Sequence, residues 1–187
     1  MFETLETERE GIKEGMRKEK GFSLIELLIV VAIILIIAAI AVPNLLRSRM
    51  AANESSAASA QRTITTANIT YSSTYNVGFA GALTALGPKT AAAPDSGAAD
   101  LLDSVMGSAA PVKSGFKFIY GAGPTGATPT TVAPNATFTS VASPISLGSS
   151  GQSTFCVDQT NVVGKDSAGA TQSAPVTGCD YTKFLPM

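Results

Sequence analysis

Histidine is missing from this chain altogether, and cysteine occurs only at Cys156 and Cys179. Those two scarcities remove most of the side chains that enzymes use for proton transfer near neutral pH, for thiolate attack or for zinc binding. No other nucleophile has an identifiable base, so catalysis is not expected. Charge of one sign is lacking too: 13 Lys and Arg stand against 14 Asp and Glu, a balance that offers no basic field to attract nucleic acid. The acidic residues of the later sequence, Asp95, Asp100, Asp103, Asp158, Asp166 and Asp180, are scattered and read as solvated surface carboxylates. No metal and no cofactor is expected from them. Aromatics are sparse, and Tyr71, Tyr75, Phe79, Phe116, Phe118, Tyr120, Phe138, Phe155, Tyr181 and Phe184 read as the core of a folded region. Glycine is absent between Phe22 and Gly78, which leaves Pro43 to interrupt that stretch.

What the chain does have is one long apolar run. Leu27 to Val42 is free of charge and preceded by Phe22-Ser23-Leu24-Ile25-Glu26, so a single carboxylate stands within a segment long enough to cross a bilayer as a helix. A charge there costs about 2.5 to 3.5 kcal/mol on insertion scales, which makes Glu26 a functional candidate in search of a cation. Ahead of it, residues 1–21 carry six glutamates and five basic side chains and cannot be buried in lipid. Cleavage after Gly21 gives Phe22 a free amine, a group with a reference pKa of ~7.7 to 8.0. That amine, of the same chain or of a neighbouring one, is the natural partner for Glu26. The bland alternative is a glutamate that reaches the interface and stays in water.

The stretch Lys20-Gly21-Phe22-Ser23-Leu24-Ile25-Glu26-Leu27-Leu28-Ile29-Val30-Val31 resembles the signature of type IV prepilins and of type II secretion pseudopilins. The likeness covers about residues 17–50. It implies a prepilin peptidase that cuts between Gly21 and Phe22 and methylates Phe22, with Glu26 as the filament-assembly glutamate and Pro43 as the helix-kinking proline. It implies polymerisation through the N-terminal helices, driven by an inner-membrane assembly platform and an assembly ATPase. The expected function is that of a structural subunit of a type IV pilus, bound first to the bacterial inner membrane with a cytoplasmic N-terminus and then carried into a cell-surface filament. Arg17, Lys18 and Lys20 agree with that orientation. The alternatives are a pseudopilin of a periplasmic pseudopilus or, from another class, a monomeric single-span protein with a binding head. The aspartate-rich calcium loop of major pseudopilins has no clear counterpart, which favours a pilin.

The expected fold is α+β and pilin-like: a long N-terminal α-helix, transmembrane in its first half and amphipathic in its second, packed on a small antiparallel β-sheet. The expected divisions are 1–21 as a leader that is removed, 22–42 as the membrane and filament-core helix, 43–75 as the amphipathic helix, and 76–187 as the head. Leu46, Met50, Ala57, Ala60, Ile64, Ala67, Tyr71 and Tyr75, with Asn53 in one slot, make a single stripe at helical spacing. Residues 76–114 are broken by Gly and Pro and read as a loop with a short helix around 99–106. Strands are expected at 116–120, 136–141 and 153–157, three or four in all, with a turn at 158–161 and a mobile surface segment from Gly121 to Asn135. In an exported head, Cys156 and Cys179 are expected to form a disulfide, the alternative being two unrelated buried thiols.

Overall fold

A computed structural model describes residues 21–89, 93–124, 126, 128–169 and 178–187. The expected charged leader through Lys20, with Arg17 and Lys18, lies outside the described residues. The chain divides into two compact units, Met1–Pro43 and Asn44–Met187, and one helix, α1 (Leu24–Tyr75), contributes to both.

In the first unit α1 is apolar on every side, and none of its side chains is buried. A helix of this kind has no preferred face, so its length and composition suit a hydrocarbon solvent on all sides. α1 continues through Pro43, the last residue of this unit.

In the second unit α1 acquires a face. Ala57, Ala58, Ala60, Gln61, Ile64, Thr65, Ala67, Asn68 and Tyr71 are buried, while Arg62 and Thr66 between them stay exposed. Four alanines let a sheet come close. That sheet has six strands in sequence order, β1 (Val112–Lys113), β2 (Phe116–Gly123), β3 (Thr137–Pro144), β4 (Thr154–Asp158), β5 (Gly164–Asp166) and β6 (Leu185–Pro186), each antiparallel to the next. Phe116, Phe118, Phe138, Ala142, Phe155 and Val157 pack with the helix into the main core. Full burial of one such large side chain is worth about 1.5 to 3 kcal/mol. Because side chains alternate along a strand, Val141 and Cys156 emerge on the opposite face, where they meet Phe184 and Cys179.

Two polar side chains align helix and sheet. Gln61, fully buried, donates from Nε2 to the carbonyls of Ser140 (3.1 Å) and Phe155 (3.3 Å). Asn68 accepts from the N–H of Ala80 (3.2 Å) and from the Tyr120 hydroxyl (2.9 Å). Burial pushes the Tyr120 phenol up, so it remains a donor. These bonds satisfy backbone groups that a purely apolar helix would leave unmet.

Several sequence expectations need correction. The helix anticipated at 99–106 is absent; the short helix is α2 (Leu83–Leu86). Asp103 accepts the N–H groups of Val105 and Met106, and Gly107 closes a single turn onto the Asp103 carbonyl. Gly107 lies against Gly87, where a Cβ would meet backbone at 2.3 Å, so no larger residue fits at that position. The surface segment expected from Gly121 to Asn135 is tied down at its ends: Gly121 to Gly123 complete β2, and buried Asn135 donates to the carbonyls of Phe79 and Gly126, while residues 130–134 are exposed. Gly78, at φ +76°, permits that approach, since a Cβ there would stand 2.2 Å from the Asn135 carbonyl oxygen. The sheet also exceeds three or four strands, by two-residue strands at its margins.

Candidate processing and assembly site

Gly21, Phe22 and Ser23 precede α1 in non-helical conformation. No heavy atom lies within 4 Å of where a Cβ on Gly21 would sit, and Phe22 is 84% exposed. The Gly21–Phe22 peptide bond therefore lies outside the helix, just ahead of its first turn, with Phe22 exposed. Helix formation begins with the Leu27 N–H on the Ser23 carbonyl (3.2 Å). Glu26 lies in the first turn, where a carboxylate is favoured by the helix dipole.

Glu26 already has one partner. Its Oε2 accepts the Ser23 N–H at 3.0 Å, which is half of a Ser-x-x-Glu capping box. The pattern is present in Ser23-Leu24-Ile25-Glu26 and was the signal available in sequence for Ser23. Gly21, Phe22, Ser23 and Glu26 thus gather within the first unit, and Pro43 closes it. Phe22 immediately precedes Ser23, the residue whose N–H the Glu26 carboxylate accepts.

The second unit holds the other candidate residues. Cys156 and Cys179 are joined, with Cα atoms 5.9 Å apart, so the expected disulfide is present. Beside it lies a group that sequence reasoning misjudged. Asp158, read as a solvated carboxylate, is 2% exposed. It accepts the Thr160 N–H (3.0 Å) and hydroxyl (2.7 Å), the Tyr181 hydroxyl (2.9 Å) and the Cys179 N–H (2.9 Å). Burial alone pushes its carboxyl up, but the Thr160, Cys179 and Tyr181 donors outweigh that and hold it below the usual carboxylate range. Disulfide and carboxylate together tie the last ten residues to the outer face of the sheet. Asp103, Asp95 and Asp180 serve local turns and exposed pairs: Asp103 with Lys113 (3.1 Å), Asp95 with Lys89, and Asp180 with Thr182.

Comparison with known proteins bears on the first unit. Residues 16–42 match the family described as the prokaryotic N-terminal methylation motif. Over 39 residues the chain is 64% identical to the type IV wide pilus major component PilA4 of Thermus thermophilus, a stretch that is 21% of this chain and 30% of that protein. The chain thus matches about a third of the length of its curated relative. No solved structure matches. The N-terminal segment is thus similar to that of a type IV pilin, and it leads into an α+β architecture of a long apolar helix and a small antiparallel sheet.

Proposed function

We propose that this chain is a structural, non-enzymatic subunit of a type IV pilus. A prepilin peptidase cuts after Gly21 and methylates Phe22, residues 22–42 hold the subunit in the inner membrane with a cytoplasmic N-terminus, and the mature chains polymerise through these helices into a surface fibre. The observation that carries the reading is the placement of Glu26 in the first turn of a helix exposed on every side, five residues after Gly21. Transfer from bilayer to fibre exchanges one apolar surrounding for another, so the helix surface itself gives little selectivity. Register then comes from the one polar contact available, the Phe22 amine of one subunit with Glu26 of the next. Pro43, which lacks an N–H and crowds the preceding turn, provides the point at which the helix bends or loosens. The role of the Thermus relative, a pilus major component, favours a pilus over a secretion pseudopilus.

The test is Glu26→Ala in the full chain. Membrane insertion and cleavage should persist, with mass spectrometry finding a methylated Phe22 terminus, while sheared filament falls to a trace. Normal filaments from the variant would refute the pairing, and fibres retaining residues 1–21 would refute the processing.

A further inference from the structure

The end of the second unit from which α1 leaves carries an apolar surface that folding does not use. Asn53 donates from Nδ2 to the Ser150 carbonyl (2.9 Å), and Glu54 accepts the N–H groups of Gln152 (2.8 Å) and Ser153 (3.0 Å). These bonds fix the β3–β4 loop, residues 145–153, beside the start of this unit's helix. Lys165 completes the anchor at 3.2 Å from Glu54. Beyond the anchor the loop presents Ile145 and Leu147, 59% and 60% exposed, and the helix presents Leu45 and Leu46, 57% and 51% exposed. Gln152 joins the two sets, lining one hollow with Arg47 and Met50 and another with Leu147 and Gly148. Arg47 and Arg49 are exposed, and among the described residues neither forms an ion pair.

Isolated exposed aliphatics are ordinary. Here four of them share one end of a unit with two unpaired cations, the composition of a surface that lies in a lipid headgroup region. Connectivity selects the occupant. Asn44 follows the apolar run directly, and Asn44 to Asn53 spans about 14 Å of helix rise, so the loop is tethered within reach of whatever bilayer holds residues 22–42. Arginine side chains next to a span fit anionic headgroups.

We propose that Ile145 and Leu147, with Leu45, Leu46, Arg47 and Arg49, form a membrane-contact surface that seats the head on an anionic lipid bilayer before assembly. The proposal rests on the membrane reading of residues 22–42. Assembly then has to lift this loop out of the headgroups as well as draw the helix from the hydrocarbon, and Glu54 with Asn53 keeps the loop fixed to the helix during the move.

The test uses the full chain, one copy per nanodisc, with an environment-sensitive fluorophore on Leu147→Cys; the native cysteines are disulfide-joined and do not compete for label. Val132→Cys, at a position 93% exposed, is the reference. Lipids bearing a nitroxide at the headgroup should quench the Leu147 probe several-fold more than the Val132 probe in discs rich in phosphatidylglycerol. The difference should shrink in phosphatidylcholine discs and with Arg47→Gln and Arg49→Gln combined. Equal quenching at the two positions in protein that has entered discs overturns the proposal and leaves the span untouched. Protection of Leu147 that arises only in assembled fibres makes the occupant a second copy of the chain, and overturns it too. Failure of the chain to enter discs overturns the membrane reading along with it.

Discussion

One helix in this protein is written for two solvents. Between Leu24 and Pro43 no side chain of α1 is buried, although most are large and apolar; between Ala57 and Tyr71 nine are buried, and six of those are alanine, threonine or glutamine. Bulk sits where folding ignores it, and small or polar residues sit where the chain packs. The contrast follows from what each half must meet. Lipid or a neighbouring helix accepts any apolar surface, whereas a sheet brought close to a helix requires short side chains and hydrogen-bond partners for most of the polar groups buried with them.

The same truncation made in both halves should give opposite results. Phe155→Ala removes a ring that is 1% exposed and should cost the head about 3 to 5 kcal/mol, lowering its thermal midpoint by on the order of 10 °C in circular dichroism. Ile34→Ala, at a position 57% exposed, should leave that midpoint unchanged. A shared loss would mean that the first half of α1 contributes to folding of the head, and the division into two solvents would fail.

Within the head, the outer face of the sheet should behave differently from the helix-facing side. Replacing Cys156 and Cys179 by serine opens a connection that spans 23 residues and should cost roughly 3 kcal/mol, measured by denaturant unfolding. Asp158→Asn should cost about 1 to 3 kcal/mol, since the amide cannot accept all four donors. The wild-type contribution has a defined pH sense. A carboxyl held below its unfolded pKa of about 3.9 stabilises the fold fully above that value and loses the effect as pH falls through the folded pKa. Acid titration followed by Tyr181 fluorescence should therefore show the C-terminal segment loosening below about pH 4 in the wild type and a flatter profile in Asp158→Asn. Smallest of all, Lys113→Ala removes an exposed partner of Asp103 and should move stability by no more than ~0.5 kcal/mol.

Much of this design was legible in sequence, for physical reasons that also mark where reading fails. The helix end at Tyr75 and the stripe through Ile64 and Tyr71 were readable because apolar spacing at 3.6 residues is a direct record of burial. β2, β3 and β4 announced themselves through Phe116, Phe138 and Phe155. β5 did not: Gly164-Lys165-Asp166 has no apolar alternation, and it pairs because β4 and the C-terminus flank it. Gln61 and Asn68 look like solvent positions until the strand carbonyls and Tyr120 are placed opposite them. Asp158 misled for the same reason, since its four donors come from residues 160, 179 and 181, and only folding brings the last two near. At the proposed processing site, Gly21, Phe22 and Glu26 stand out from local order alone, because they fall within six consecutive residues.

The margins of the sheet carry a further consequence. β1 offers two residues, and β6 ends with Pro186, which has no N–H to give to a stranger's strand. Copies of the second unit crowded side by side thus find little purchase on one another's backbones. Strand-to-strand tangling between them is discouraged by a proline and by brevity.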